Sequence, residues 1–416
     1  MQAYPQAPVE REMYMKIPAG IEFTNGNPKE HVLKVHKNIY GQRQAGRVWF
    51  EYLREKLVHE VGFTQSKIDP CLFWKGKTAY VVYTDDSILM GPDKNEIESI
   101  MEEIKAAKLK ITDEGDIQDF LGINIDLKSD GTVELCQPQL IDQILNDLKM
   151  DIGNLGTKDT PALSTKILTR HRESEKFDGS FHYRSIIGRL GYLETGSRPD
   201  ISYITHQCAR FSVDPKREHG NAIRYIARYL KGTRDKGLIL RPNRSKGLEV
   251  HVDADFAGNW TPDDSDDPDT ARSRHGYIIS YAGCPVTWKS QLQTETALST
   301  TEAEYIGMSQ ALRSTIPLMR IIRELNSAGF DVINHAVPVQ CTVFEDNSGA
   351  IEIAKSDKYR PRTKHINNKL HHFRSYVTKG RIKVQKIASE DQQADMLTKP
   401  LAGTLFCELR KKVMGW

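Results

Sequence analysis

Four acidic residues in the last third of the chain have the residue type and setting that divalent-metal chemistry requires. Asp253 ends the alternating strand pattern LEVHVD, and Asp346 ends the strand pattern VQCTVFED. Glu304 lies near the start of a long amphipathic helix pattern. Asp395 lies in SEDQQADMLTK, which predicts the first turns of a last helix capped at Ser389. Carboxylate oxygens are the ligands that Mg²⁺ and Mn²⁺ prefer, so these four residues are candidate metal ligands.

Each of the four also has an ordinary structural interpretation. Aspartates at strand ends commonly form turns, which would explain Asp253 and Asp346. Glu304 follows Thr301 at the spacing of a capping box, and an acid at Asp395 would suit the helix dipole. For any one residue the structural interpretation is the more frequent. Jointly, two strand-end aspartates and two acids in early helical turns can converge to hold two ions about 3.5 to 4 Å apart, which suits phosphodiester cleavage.

The elements that must position these acids form a separate α/β domain. LEVHVD (248–253), YIISYAG (277–283), PVTWKS and VQCTVFED read as strands, and a long helix starts near Thr301. The preceding stretch is mainly helical, and its helix NAIRYIARYLKGT is predicted to end with Gly232 as the C-cap. TPDDSDDPDT (261–270) is predicted to be a solvated surface loop. We therefore expect a multi-domain α/β protein with a domain boundary near residue 246.

Two predicted hairpins mark the first part of the chain. TAYVVYTDDSILMG (78–91) reads as two apolar strands around a polar turn that contains Asp85 and Asp86. DFLGINIDLKSDGTVELCQ (119–137) reads as a second hairpin that turns at Ser129-Asp130-Gly131. Two adjacent acids in a hairpin are more often a simple turn than a metal site, so Asp85 and Asp86 are weak candidates by themselves.

Composition excludes several classes of protein. With 416 residues, 39% hydrophobic and 27% charged, the chain has the make-up of two to three globular domains. No window is apolar enough for a membrane span, and the N-terminal residues do not form a secretion or import signal. The six cysteines are far apart without a C-x-x-C pair and are predicted to be buried thiols. We expect a cytoplasmic or nuclear protein that is neither secreted nor membrane-bound.

A basic stretch near the C-terminus could contact phosphates. Between Lys355 and Lys386 there are eleven Lys and Arg residues and a single acid, Asp357. Such a stretch would neutralise several phosphates of a nucleic acid. A solvated basic face explains the composition equally well. His365, His371 and His372 lie in the same stretch, but without a cysteine pair they do not indicate a zinc site.

The segments around the four acids resemble the ribonuclease H region of copia-type (Ty1/copia) retrotransposon polyproteins. The matching segments are HVDADFAG, RSRHGYIISYAG, VTWKSQLQ, ALSTTEAEYIGM, FEDNSGAI, KHINNKLHHFR and DQQADMLTKPL, in the family's order. The resemblance implies that the metal ligands are Asp253, Glu304, Asp346 and Asp395. It thereby selects them over their acidic neighbours Asp255, Glu302, Glu345 and Asp391. It also implies that the basic stretch touches an RNA/DNA hybrid, through Arg362, Lys364, His365, Lys369 and Arg374.

The first part of the chain resembles the reverse transcriptase of the same family. TAYVVYTDDSILMG is similar to the catalytic hairpin, IYGQRQAGRVWFEYL to the nucleotide-side block, and DFLGINI to a following hairpin. The resemblance implies that Asp85 and Asp86 are catalytic, with Asp85 a metal ligand, and that Tyr4, Arg43 and Gln44 bind the nucleotide. The family's first catalytic aspartate would lie two residues before Met1. We therefore expect the polymerase half to be inactive by itself.

The resemblance implies a reverse transcriptase/ribonuclease H fragment. Its expected parts are a partial fingers/palm (1–125), a helical thumb/connection (126–245) and a ribonuclease H-like domain with a mixed sheet and flanking helices (246–416). It would use two Mg²⁺ or Mn²⁺ ions per centre, a template-primer or RNA/DNA hybrid, and dNTPs where polymerisation is possible. We expect it in virus-like particles in the cytoplasm or in the nucleus, where it could assemble with the rest of the polyprotein. The alternatives are a decayed, non-catalytic nucleic-acid-binding fragment, or a polymerase completed by an upstream segment.

Overall fold

The chain forms two compact units. The computed structural model describes residues 3–21, 26–150, 156–163, 167–170, 173–332, 340–356 and 371–416. The first unit comprises Met1–Ile117 with Ser327–Phe330, and the second comprises Gln118–Asn326 with Asp331–Trp416. Each unit has its own buried core.

The first unit contains two antiparallel sheets and two α-helices. The strands are β1 (Pro8–Lys16), β2 (Val32–Lys37), β3 (Thr64–Gln65), β4 (Leu72–Lys75), β5 (Thr78–Tyr83) and β6 (Asp86–Met90), and the helices are α1 (Ala45–Glu55) and α2 (Lys94–Ala106). β1 pairs with β2, and the second sheet follows chain order from β3 to β6. Trp49, Phe73, Tyr80 and Ile104 are among the residues of its core. The hairpin predicted at 78–91 is confirmed as β5 and β6.

The second unit begins with a helical region and a small sheet. Its strands are β7 (Asp119–Phe120), β8 (Ile123–Leu127), β9 (Val133–Cys136) and β10 (Leu238–Leu240), and its helices are α3 (Pro138–Asp147), α4 (Tyr183–Gly196), α5 (Ser202–Ala209) and α6 (Arg217–Gly232). The second predicted hairpin is confirmed: Gly131 has a φ of 82°, and the Thr132 amide donates to Asp130 Oδ1 at 2.9 Å.

The predicted role of Gly232 as the C-cap of α6 is wrong. Gly232 is the last helical residue, and Thr233 takes the cap position with a φ of −130°. A Cβ on Gly232 would lie 2.9 Å from the Cβ of Thr157. Close packing therefore explains this glycine, because the backbone adopts no left-handed conformation there.

The remainder of the second unit is a five-stranded mixed sheet with flanking helices, as predicted. Its elements are β11 (Leu248–Asp255), β12 (Arg274–Tyr281), β13 (Cys284–Leu292), α7 (Thr300–Ser327), β14 (Cys341–Glu345), α8 (Ser348–Lys355), α9 (Arg374–Thr378), β15 (Ile382–Lys386) and α10 (Gly403–Met414). The strand order is β13-β12-β11-β14-β15. β11 to β13 form an antiparallel meander, whereas β14 and β15 run parallel to β11.

One hydrophobic core joins the helical region to the mixed-sheet region. It combines Ile144, Ile186 and Ile226 of the helical region with Ile278 of β12 and Phe406 of α10. A second core lies between α7 and the opposite side of the sheet. The indole N–H of Trp288 on β13 also donates to the Glu194 carbonyl of α4 at 2.8 Å. Through Phe406, the final helix contributes to this shared core.

The acidic loop is more ordered than predicted. Asp264 and Asp267 are 2% and 6% exposed, in two short 3₁₀ turns at Pro262–Asp264 and Pro268–Thr270. The backbone amide of Arg170 donates to Asp264 Oδ2 at 2.6 Å, and its guanidinium donates to Asp267 Oδ2 at 3.0 Å. The expected solvated insertion is therefore wrong, because a neighbouring arginine binds both acids.

All six cysteines are free thiols: Cys208, Cys284 and Cys341 are buried, whereas Cys71, Cys136 and Cys407 are half-buried. The prediction of buried thiols therefore holds for three of them. Within the described residues, no helix combines the length and apolar character needed to cross a bilayer.

Candidate metal centre

Asp253 lies inside a strand of the mixed sheet, two residues before its end. The sequence predicted that the strand ends at Asp253, but β11 continues through Ala254 to Asp255, which pairs with Arg274 of β12. This difference arises because β12 supplies ladder partners that no local pattern reveals. Asp253 is 3% exposed, and its Oδ2 accepts a short hydrogen bond from the hydroxyl of Thr398.

Glu304 lies in the first turns of α7 and does not cap that helix. The reciprocal cap is formed by Ser299 and Glu302: the Glu302 amide donates to Ser299 Oγ at 3.1 Å, and Glu302 Oε2 accepts from the Leu298 amide at 2.8 Å. The possible capping box of Thr301 and Glu304 is thus two residues out of place. Glu304 is 5% exposed, and its Oε2 has no hydrogen-bond partner among the described residues.

Asp346 follows β14 directly, one residue beyond the strand end at Glu345, whereas the sequence predicted that the strand includes Asp346. The next residue, Asn347, caps α8 by accepting a hydrogen bond from the Ala350 amide at 3.0 Å. The hydroxyl of Ser389 donates to Asp346 Oδ2 at 2.9 Å. Asp346 is half-buried and is therefore the open side of the site.

Asp395 lies in a short 3₁₀ segment, Gln393–Leu397, before the last helix. The expectation of early turns of a last helix capped at Ser389 is wrong, because α10 begins only at Gly403. The buried side-chain amide of Gln392 fixes the segment by donating to the Val252 carbonyl at 2.8 Å. A Cβ on Gly276 would lie 2.7 Å from the Cβ of Leu397, so glycine allows β12 to pass close beneath it.

The structure brings three of the four predicted acids together. Asp253, Glu304 and Asp346 each offer an oxygen, and these atoms all lie within 4.8 Å of one another. Asp395 lies outside that group and is linked to it by a lysine. The Nζ of Lys399 is 3.0 Å from Asp395 Oδ2 and 3.8 Å from Asp253 Oδ2.

Burial makes the negative charges of this cluster costly. Burial raises the pKa of Asp253, and it raises the pKa of Asp395 to about 7 with a further contribution from the Asp253 charge. Burial, followed by the charges of Glu345 and Asp253, raises the pKa of Glu304 to about 11. Carboxyl groups with raised pKa values gain from a positive charge nearby, so the cluster favours a bound cation.

The buried oxygens fit a divalent ion. Glu304 Oε2 and Asp395 Oδ1 are buried and accept no hydrogen bond from the described residues. Such atoms usually have a partner, and a hard cation is a suitable one for carboxylate oxygens. Asp253, Glu304 and Asp346 would hold such an ion, with Asp395 available to a second.

Sequence reasoning missed two charged residues of the site. Glu345 is fully buried beside Asp346; its Oε1 accepts from the Asn347 amide at 3.0 Å, and burial raises its pKa to about 8. Its alternation with Cys341 and Val343 along β14 was the available signal that it faces inward. Lys399 was missed because its contact with Asp253 spans the chain, although its spacing from Asp395 is helical.

The acidic neighbours that the resemblance passed over have other positions. Glu302 caps α7, and Asp391 is exposed, with Lys412 Nζ 2.6 Å from its Oδ1. Asp255 is half-buried near Asp253, and burial raises its pKa. Of these neighbours, Asp255 and Glu345 therefore border the centre.

The residues predicted for the polymerase site lie in the first unit. Tyr83 pairs with Asp86, so Thr84 and Asp85 form the turn, and Thr84 has a φ of 57°. Both aspartates are exposed, and Tyr40 donates to Asp85 Oδ2 at 3.4 Å. The indole N–H of Trp49 donates to the Thr84 carbonyl at 2.7 Å.

Of the predicted nucleotide-binding residues, Tyr4 is linked to the hairpin through Tyr40. The ring of Tyr4 lies 4.4 Å from that of Tyr40, which connects it to Asp85. The side-chain amide of Gln44 lies 3.3 Å from the sulfur of Met13, and Arg43 is exposed. Their role in nucleotide binding stays a prediction.

Most of the predicted nucleic-acid contacts lie outside the described residues. These are Arg362, Lys364, His365 and Lys369. Arg374 begins α9 and is half-buried. Burial raises the pKa of Tyr305 of α7, and the nearby Arg374 partly offsets that rise. The basic interface therefore stays a prediction.

The chain is similar in sequence to known retrotransposon proteins over nearly its whole length. Residues 1–164 match the model of the reverse transcriptase (RNA-dependent DNA polymerase) family. The chain is 30% identical over 424 residues to the retrovirus-related Pol polyprotein from transposon TNT 1-94 of Nicotiana tabacum, which covers 99% of the chain and 30% of that polyprotein. The chain belongs to the copia-type retrotransposon Pol family. This confirms the family predicted from its motifs.

Further relatives differ in how much of their length is matched. The putative transposon Ty5-1 protein of Saccharomyces cerevisiae is 28% identical over 316 residues, which is 74% of this Pol chain and 97% of that protein. A foamy viral protease-reverse transcriptase in complex with dsDNA aligns over 86% of the chain and 61% of its own, with a TM-score of 0.43 and 14% identity. The N-terminal RNase H domain of a Mycobacterium tuberculosis protein aligns over 40% of the chain and 97% of its own, with a TM-score of 0.25 and 12% identity.

Proposed function

We propose that the second unit of this copia-type Pol chain cuts RNA paired to DNA by metal-dependent hydrolysis. The observation that carries the proposal is the convergence of Asp253, Glu304 and Asp346 within 4.8 Å, with Asp395 beside them. The chain spans about 30% of the length of its TNT 1-94 relative. The activity, the hybrid substrate and the use of two ions are therefore proposed on family membership and on the acidic centre together.

The chain's own residues supply binding and orientation. Asp253, Glu304, Asp346 and Asp395 would hold Mg²⁺ or Mn²⁺, and bound ions supply activation of water and stabilisation of the leaving oxygen. Hydrogen bonds from Thr398 to Asp253 and from Ser389 to Asp346 hold these two carboxylates in place. Asp346, the half-buried member, lies where a phosphodiester could approach.

The test is Mg²⁺-dependent cleavage of a labelled RNA/DNA duplex by the full chain. The full chain is used because one core joins the helical region to the sheet. Asp346→Asn should lower cleavage by about two orders of magnitude or more, because it removes a carboxylate that would hold the metal ion, and the metal ion stabilises the charge of the transition state. Asp391→Asn is the matched control, because Asp391 is exposed and bonded to Lys412.

Two results would contradict the nuclease proposal. One is equal cleavage by the parent chain and Asp346→Asn. The other is hybrid binding without cleavage by the parent chain, which would favour the alternative of a non-catalytic nucleic-acid-binding fragment. Chelation of the metal ion should abolish cleavage of the RNA/DNA duplex by the parent chain.

We also propose that the β5–β6 hairpin is part of a polymerase site whose acids, Asp85 and Asp86, support no primer extension by themselves. Among the described residues, the grouping of three convergent ligands contains the nuclease acids and not Asp85 or Asp86. Primer extension on an RNA template with dNTPs should be undetectable. Robust extension that Asp85→Asn abolishes would contradict this expectation and favour a complete polymerase.

The remaining partners belong to the same proposal. Binding to the hybrid by Arg362, Lys364, His365, Lys369 and Arg374 should weaken steeply with salt, because phosphate contacts release counterions. The long Pol polyproteins among the relatives support assembly with other polyprotein parts. A location in cytoplasmic particles or in the nucleus stays a prediction.

A further inference from the structure

Lys399 reaches from the surface into the acidic centre. Its Nζ contacts Asp395 Oδ2 at 3.0 Å and lies 3.8 Å from Asp253 Oδ2. The side chains of these two aspartates are 6% and 4% exposed, whereas that of Lys399 is 39% exposed. A long aliphatic stem allows a lysine to place its charge at a buried site while part of the side chain stays in water.

The backbone fixes the starting point of this side chain. The amides of Thr398 and Lys399 both donate to the Asp395 carbonyl at 3.2 Å, which makes one tight turn. The same turn directs the Thr398 hydroxyl onto Asp253 Oδ2. Two consecutive residues therefore bring donors to the carboxylates on this side of the centre.

The ammonium lies close both to Asp395 and to one member of the convergent group, Asp253. Asp253, Glu304 and Asp346 form that group, whereas Asp395 contacts Lys399 instead. A divalent ion bound to Asp395 Oδ2 and Asp253 Oδ2 would take the position beside these two atoms that the ammonium now holds. Mg²⁺ binds oxygen at about 2.0 to 2.1 Å, so it could not share this space with the lysine.

We propose that Lys399 is an internal counter-cation that occupies the Asp253–Asp395 side of the centre and must withdraw before a second divalent ion binds there. The inference rests on the proposed metal centre. It implies that the two ions bind with different affinities. The first binds at Asp253, Glu304 and Asp346, and the second competes with a tethered positive charge.

The test is a calorimetric titration of the full chain with Mn²⁺ in the absence of nucleic acid. Asp85→Asn is included in every chain to remove binding by the hairpin. In Lys399→Met the weaker binding step should strengthen by about tenfold or more, because a unit charge near 4 Å opposes the incoming ion. Lys399→Arg keeps the charge and should retain two separated steps.

Matched controls separate this effect from general loss of charge or fold. Lys412→Met removes a lysine from an exposed pair with Asp391 and should leave the titration unchanged. Lys399→Gln provides a second neutral variant if Lys399→Met does not fold. In the presence of a chelator both neutral variants should have a lower melting temperature than the parent. In a separate sample with Mn²⁺ and no chelator, this difference in melting temperature should disappear.

The outcomes distinguish the inference from the proposal on which it rests. Two binding steps of unchanged affinity in a folded neutral variant would overturn the role of Lys399 and leave the metal centre intact. An absence of Mn²⁺ binding in every folded chain would refute the centre and the inference together. Loss of the titration in Asp346→Asn assigns the signal to this site.

Discussion

Arg198 and Asp200 form a fully buried ion pair whose disruption gives a sharp stability prediction. The two side chains are 0% exposed, and the guanidinium donates to the carboxylate at 2.8 and 3.0 Å. It also donates to the carbonyl and hydroxyl of Thr233 at 3.0 and 2.8 Å. The Tyr229 hydroxyl donates to Asp200 Oδ2 at 2.6 Å. The substitution considered is Arg198→Met, which keeps volume but removes every donor.

The expected loss is large because the remaining charge cannot reach water. Removing one partner of a buried pair typically costs about 3 to 5 kcal/mol. The two contacts to Thr233 are lost as well, while Tyr229 still donates to Asp200. Relative to a total stability of about 5 to 15 kcal/mol, we expect a fall in melting temperature of roughly 10 °C.

The assay is denaturant unfolding of the full chain, compared with a surface pair in the same helical region. Arg189 donates to Asp147 at 2.6 Å, but the two side chains are 32% and 43% exposed. Arg189→Met should therefore cost less than about 1 kcal/mol. If both variants lose the same free energy of unfolding, the reasoning from burial is refuted. Because the core is shared, Arg198→Met should also lower the temperature at which hybrid cleavage is lost.

Three further predictions concern the mixed sheet. Gly276→Ala places a methyl group 2.7 Å from the Cβ of Leu397, so it should displace the segment that carries Asp395 and reduce both melting temperature and hybrid cleavage; unchanged cleavage would contradict this. In chelator, stability should fall as pH rises from 6.5 to 8, because carboxyl groups with raised pKa values, such as Asp395 at about 7, hold more protons in the folded state than in the unfolded state. For each such group, the free energy of unfolding falls by about 1.4 kcal/mol per pH unit up to the folded pKa of the group. Stabilisation by Mg²⁺ in thermal melts should therefore be greater at pH 8 than at pH 6.5. Equal stabilisation at the two pH values would argue against the centre. Ser299→Ala removes the cap of α7 and should cost about 1 kcal/mol in denaturant unfolding, with a smaller loss of cleavage than Asp346→Asn.

Local patterns were sufficient to predict most of the elements. The hairpin at Asp85, the strand before Asp346 and the helix that carries Glu304 were all visible as alternation or helical periodicity. The family motifs then selected four acids, three of which converge in the structure. Their identity as ligands stays a prediction that the mutational tests address.

What the sequence did not reveal depends on partners distant along the chain. β11 continues to Asp255 because β12 pairs with it, and the segment around Asp395 is held by Gln392 instead of by a helix. Glu345 was passed over as a strand-end acid, although its alternation with Cys341 and Val343 indicates the inward position that the structure has. The contact between Lys399 and Asp253 spans the chain and has no local signal.

The contacts between α10 and the helical region have a consequence for recombination between related retrotransposons. The Trp416 indole donates to the Gly237 carbonyl at 2.6 Å, and Arg410 donates to the Tyr229 hydroxyl at 3.1 Å. A crossover near residue 246, where the sequence suggests a boundary, would pair these side chains with a foreign partner surface. A crossover between residues 117 and 118 would transfer the shared core intact. The helical region and the acidic centre should therefore be inherited together, as one unit of recombination.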